Sequence, residues 1–577
     1  MKKLFLTMLT MLPLMAMAQL TKNVTLSNAG ELSKQIAQDE VNKITALTVS
    51  GNLNGADLKL IQQIVNRTSA KEKNGEFLTT MLDLSGATIL EGKEGIKLKA
   101  NELPSKCFAG AKALLSVALP SGLTAIGQNC FKDCKSLKEI SIPSGVTTIG
   151  DGAFANCEDL AVVVLPPSLI SIGDEAFEDC DKLQTIEIPA SVKEIGNQAF
   201  NSCKSLTAIN ILGSLKKIDK ATFKGCGNLQ SITLPASIQV IENDAFADCK
   251  SLAAIDLPSD VEEIGNGAFE NCSALSNISL VNIKEVENNA FEGCKSLTAV
   301  SFSRLGKLGN DAFKDCTSLT SVEIEGSLKE ISGDAFLGCS SLSAISIPTS
   351  VKTIGNSAFK GCKSLTAIDL PATLETIGTH AFEGCASLQQ ISLPVTLKKL
   401  GGSAFEDCTV LADATIQGAI TELGSDIFRN CGNLKNVTLP TSLSEIGSHA
   451  FEGCVALGSI TLPIALTKIG DDAFEKCASL TSITIPVAVT SIGDDAFYEC
   501  TMLSKVELPV TLKKIGGSAF GKCPSLREVI INSPAPPSIS KSTFKDVVAC
   551  TFWIPRGSAT LYASDKQWSK LSTIKEK

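Results

Sequence analysis

Cysteine and carboxylate are the chemically capable residues this sequence carries in number: 21 cysteines and 61 Asp and Glu among 577 residues, against only two histidines, His380 and His449. So many thiols admit three readings, namely disulfides, a metal centre or buried packing. From Cys134 the cysteines fall at 157, 180, 203, 226, 249 and 272, then 294 and 316, then from 339 to 523 in steps of 23. One per step makes a single column. Neighbours in a column of stacked strands stand ~4.8 Å apart with parallel Cα–Cβ vectors, wide for the ~3.8 Å Cβ separation of a relaxed disulfide. No CxxC pair is present, and Cys130 with Cys134 has no histidine nearby to complete a zinc-type ligand set. The column is therefore read as reduced packing residues, with scattered disulfides or a metal as the alternatives.

His380 and His449 occupy the same place in the repeat, two residues before a phenylalanine and 69 residues apart. Three strand spacings are ~14 Å, so the two cannot share a proton or a metal, and each is read as an exposed turn residue. Carboxylates are plentiful enough for acid–base chemistry, but no pair stands out from the repeat, and no phosphate-binding glycine motif interrupts it. No catalytic residue, metal ligand or cofactor is expected.

The elements that must position these residues follow from the same beat. Phenylalanine precedes each cysteine of the column by three residues, from Phe131 and Phe154 to Phe497 and Phe520. A coil read from Leu137 begins with a short strand, Ile140 and Ile142 inward and Glu139 and Ser141 outward, ended by Pro143. A second extended segment covers Val146 to Ile149. Gly150 then permits a turn, and Asp151, like Asp174, Asn197, Asn243 and Asn266, is expected to cap a single helical turn holding Phe154 and Cys157 inward. The coils ending at Cys294 and Cys316 are one residue short. A lone coil cannot bury its apolar faces, so stability must come from stacking into parallel sheets, a curved rod on the order of 90 Å long.

The chain's two ends break the period. Lys2 and Lys3, an apolar run from Leu4 to Leu14 and Ala16-Met17-Ala18 have the order of a secretory signal over residues 1–18. The run is shorter than the ~20 residues needed to span a bilayer, and no lipid-attachment cysteine follows it. Residues 19–100 are expected to form an N-terminal capping region with helices at Gly30 to Gln38 and Asn54 to Arg67 and strands at Ile44 to Val49 and Leu78 to Leu84. The array proper covers 101–532, opening on a degenerate coil with Phe108 on the beat and Ala111 in the cysteine's place. Residues 533–577, with both tryptophans, are read as a C-terminal cap or, alternatively, a binding patch. A formal charge of −9 argues against nucleic acid.

The coil Ile-Pro-x-x-Val-x-x-Ile-Gly-x-x-Ala-Phe-x-x-Cys-x-x-Leu, at Ile142 to Leu160 and again at Ile347 to Leu365, resembles the BspA-like leucine-rich repeats of bacterial surface proteins. The resemblance implies an α/β repeat solenoid: a right-handed coil with parallel β-sheets, 23-residue coils and short helical turns. For some members it also implies adhesion to host extracellular-matrix proteins or to other bacteria.

The outward face of the first strand presents small polar residues and scattered acids, with Glu139, Glu187, Asp256, Glu323, Asp369, Asp413 and Glu507 as candidate ligand-binding residues on the concave side. Tight interfaces centre on Trp, Tyr or Arg, which this face lacks, so the expectation is weak, multivalent binding of a protein ligand by an exported, non-enzymatic module. Such a module would be secreted or held at the cell surface. The alternatives are a periplasmic or surface structural scaffold without a host ligand, and an enzyme within residues 19–100.

Overall fold

The computed structural model describes residues 20–66, 80–571 and 573–577. The expected signal, Arg67 and the first two residues of the strand expected from Leu78 lie outside the described residues. The chain divides into two compact units, one made of the residues up to Leu215 with Thr222–Pro235, the other of Lys216–Ala221 with Ala236–Lys577.

In the first unit, β1 (Leu20–Leu26), β2 (Ile44–Leu53) and β3 (Thr80–Asp83) lead by parallel pairing into the strands Leu114–Ala118, Glu139–Ser141 and Val162–Val164. Each inward residue lies over its counterpart one coil on, as Ile140 over Val163. A second row of two-residue strands, Thr148–Ile149 beside Ser171–Ile172 for example, runs along another side. This row is shorter than the extended segment expected from Val146. Helix α2 (Gly55–Val65) starts where the sequence placed it, because Asn54 Oδ1 accepts from Ala56 and Asp57 N–H while Asp57 answers Asn54 N–H. The other expected helix shrinks to α1 (Leu32–Gln35), since Gly30 sits at φ +88° and Ile36 is extended.

The expected helical turn is not helical. Between Gly150 and Leu160 the chain makes overlapping turns, with Ala153 N–H donating to Gly150 O, Ala155 to Gly152 O and Cys157 to Phe154 O. The alternate N–H groups, of Gly152, Phe154 and Asn156, reach across to Asp174, Ala176 and Glu178 O in the next coil at 2.7–2.8 Å. Such turns need a left-handed residue in third place, which Gly152 and Asn156 supply at φ +59°. The later residues at these positions are mostly Asn, Asp, Gly and Ser, the types that enter this region most readily. Asp151 caps nothing in its own coil. Its Oδ1 accepts the N–H of Asp174 one coil on, and Asp174 does the same for Asn197.

Gly150 is required for a reason other than turning: a Cβ there would lie 2.7 Å from Gln128 N of the preceding coil. The phenylalanines stack ring on ring, Phe131 to Phe154 at 5.2 Å between centroids and 3° between planes. All 21 cysteines are buried and reduced. Thiols on the beat donate to the carbonyl of the previous coil's phenylalanine, Cys157 Sγ to Phe131 O at 3.2 Å, so the position takes a small apolar side chain that also carries a weak donor.

The second unit repeats this scheme. Its phenylalanine column continues past Phe520 to Phe544, whose ring stands 5.5 Å away. Phe552, Tyr562 and Trp568 then pack edge-on around Phe544 and one another. Tyr562 Oη donates to Ser533 O and Trp568 Nε1 to Pro537 O, which satisfies the polar atoms of two fully buried rings. The fold is a parallel-strand β-solenoid of about 23-residue coils, mostly strand with little helix.

Candidate functional site

Two surfaces carry the side chains with chemistry to offer. On the first-strand face, Glu139, Glu187, Asp256, Glu323, Asp369 and Asp413 are exposed and Glu507 is half-buried. Asp256 and Asp369 do not lie on strands as expected: Ala254–Ile255 ends before the first, and residues 366–370 form no strand. The one-coil register puts small or neutral residues beside each acid, Val162 next to Glu139, Asn210 next to Glu187, Ser301 and Ser346 next to Glu323. No two of the seven stand in adjacent coils. Two coils are ~10 Å apart, more than the ~8 Å screening length at physiological salt, so these charges act separately. Asp413 already accepts from Asn436 Nδ2 at 2.7 Å, and Glu507 from Asn532 Nδ2 at 3.1 Å.

The second surface, along the turn edge of the second unit, was not expected. The turn in which Glu383 N–H donates to His380 O brings the two side chains together, and Glu406 is the counterpart of Glu383 one coil on. His380 Nδ1 lies 2.8 Å from Glu383 Oε2. His380, Glu383 and Glu406 have ligand atoms within 4.8 Å of one another, the only group of three such metal-capable side chains among the described residues. Lys360 Nζ also meets Glu383 Oε2 at 2.8 Å, and Arg429 stands 3.6 Å from Glu406. Burial raises the Glu406 carboxyl above its ordinary range, and the neighbouring Glu383 charge adds to this.

Three coils on, His449 Nδ1 is hydrogen-bonded to Glu452 at 3.0 Å and Nε2 lies 3.8 Å from Asp472. Asp472 is pushed up to about 6, chiefly by burial against the opposing pull of His449 and with help from Glu475. Both histidines, expected as exposed turn residues, do sit in turns, but each is half-buried and faces a carboxylate. The signal lay in the tetrapeptide His-Ala-Phe-Glu, present at 380–383 and 449–452.

Elsewhere the reactive groups are committed to structure. Burial holds the Cys339 thiol up, to about 12, and those of Cys272 and Cys385 well above the ordinary thiol value, far from thiolate nucleophilicity. Asp57, the buried acid of the N-terminal region, accepts backbone N–H from Gly30, Leu32 and Asn54. Two hollows, one beside Val117, Leu119 and Pro143 and the other beside Ile554, Tyr562 and Leu571, contain no histidine, lysine or cysteine.

The model of the BspA type leucine rich repeat region, in six copies, matches residues 101–230, 216–343, 306–435 and 421–551. The chain belongs to the BspA-type leucine-rich-repeat family. Among solved structures, this BspA-type protein is similar to a leucine-rich repeat protein from Bacteroides ovatus, at 31% identity over 62% of this chain and 92% of that one, with a TM-score of 0.54. It also matches the leucine rich repeat protein of T. pallidum at 30% identity, covering 32% of this chain and 86% of that one, with a TM-score of 0.27. No curated protein matches this BspA-type chain. None of its described helices is long and apolar enough to cross a membrane.

Proposed function

We propose that this BspA-type protein is an exported, non-enzymatic binding module, displayed at the cell surface or secreted, that holds protein ligands through many weak contacts on its first-strand face. The family and fold are those of repeat proteins that serve protein interaction. The observation that carries the reading is the build of the face itself: the seven candidate acids stand two or more coils from one another among mostly small polar residues, with no aromatic anchor between them. Such a surface gains affinity by repetition along an extended or basic partner.

A pull-down with residues 19–577 against extracellular-matrix proteins at rising salt tests it. Retention should fall as salt screens the acids. Retention indifferent to salt, or unchanged when Glu139, Glu187, Glu323 and Asp369 are replaced together by Gln or Asn, would exclude this face. A second reading, a periplasmic or surface scaffold without a host ligand, is favoured by the asparagine bonds that already occupy Asp413 and Glu507. Protection from external protease on intact cells would favour a periplasmic scaffold, whereas cleavage would favour display.

A further inference from the structure

We propose that His380, Glu383 and Glu406 bind one divalent transition-metal ion of the Zn²⁺ class, through one imidazole nitrogen and two carboxylate oxygens, with water completing the shell. One nitrogen and two oxygens suit a borderline cation. Two ligand atoms each ~2.1 Å from such an ion and 90–110° apart lie ~3.0–3.4 Å from each other. His380 Nδ1 and Glu383 Oε2 stand 2.8 Å apart, close to that spacing. Both atoms are shut off from solvent; Glu383 Oε2 carries the Lys360 ammonium at 2.8 Å, while His380 Nδ1 meets no group but that same carboxylate. With Glu406 they bring three ligand atoms within 4.8 Å of one another, as donors gather around a cation. Glu406 projects from the next coil into the same place, so that two carboxylates share one spot with only single positive charges, Lys360 and Arg429, at its margins.

The equivalent turn at His449 argues that this arrangement is particular to one place. There the histidine Nδ1 makes a proper hydrogen bond to Glu452, and Glu475, the counterpart of Glu406, is held by Lys476 at 2.7 Å. Its donors are spent. Lys360 is the competitor at the proposed site, since it takes the same Glu383 oxygen that the ion would need.

The test is calorimetric titration of the full chain with Zn²⁺, alongside the absorption spectrum of the Co²⁺-loaded protein. One ion per chain should bind, and the Co²⁺ spectrum should lack a thiolate charge-transfer band. His380→Ser keeps a residue type that Ser403 already places at left-handed φ one coil on, so the turn should persist. That variant and Glu406→Gln should each weaken binding about 10-fold or more, a loss typical of disturbed ligand shells. Lys360→Gln should tighten binding, and His449→Ser should leave it unchanged. Unfolding midpoints measured without metal separate loss of the site from loss of the fold. Absence of saturable binding, a thiolate band, undiminished affinity in a folded His380→Ser chain or dependence on His449 would each overturn the assignment.

Discussion

At the scale of single residues, the cysteines show how one side chain can answer two demands. A cysteine of the column must fit beside the phenylalanines, and it supplies the S–H that the preceding phenylalanine carbonyl accepts, at 3.0 Å for Cys339 and 3.3 Å for Cys385. Titration in denaturant without reductant should therefore count all 21 thiols, while the folded chain should react slowly; recovery of only a few would mean disulfides. Asp472 gives a second prediction. Its pKa of about 6 stands above the ~3.9 of an unfolded aspartate, so the native state binds the proton more tightly. Its ionisation therefore destabilises the fold at neutral pH, and that penalty is relieved as pH falls through 6 toward 4. Asp472→Asn should stabilise the chain at pH 7 by about 1–2 kcal/mol once screening is allowed for, and the gain should shrink toward pH 4 and vanish below it. Equal thermal midpoints for mutant and wild type at pH 7 would refute this.

At the scale of the element, the coil is held by what passes between coils, of which the strand ladders are only a part. Two- to four-residue strands are short, and the turn segment adds its own rungs through alternate N–H groups and through side chains such as Asp151 and Asn356. This needs backbones close enough that glycine is the residue that fits. A Cβ on Gly378 would meet Asn356 N and Oδ1 at 2.5 Å, so Gly378→Ala should cost about 1–3 kcal/mol in denaturant unfolding. An unchanged midpoint would show that the coils can part at little cost. The repeat, the inward Phe and Cys and the outward Glu139 and Ser141 were legible because a 23-residue beat and strand alternation are written directly in residue types. The turn was not, since Asp-x-Ala-Phe at helical spacing reads as a capped helical turn, and only the left-handed residues, with the N–H groups they send to the next coil, decide otherwise. His380 with Glu383 lay within one tetrapeptide, yet their meeting with Glu406 depended on that same turn.

At the scale of the whole molecule, a stack of coils has ends that must not be left open. We propose that residues 20–100 and 533–577 serve as covers. In the second unit the phenylalanine column finishes against Trp568 and Tyr562, both fully buried with their polar atoms bonded to backbone. Trp568→Ala should cost ~3–5 kcal/mol and expose an apolar end. Gel filtration of that variant should show concentration-dependent association; a strictly monodisperse chain with a wild-type midpoint would rule out the covering role. The burial of Tyr562 and Trp568 also removes most of the aromatic surface that the sequence offered there as a possible binding patch.

The two coils that are one residue short lose it from the loop after the first strand: Val281-Asn282-Ile283 and Ser303-Arg304-Leu305 stand where Pro143-Ser144-Gly145-Val146 stands in a full coil. The strand at Ala299–Leu305 runs on through the gap with a shift of register, while Phe291 and Phe313 keep their stacking at 5.1 Å. That loop can change length without disturbing the column beneath it. It is where a peptide epitope or a fluorophore could be grafted, coil by coil, to turn the chain into a display framework.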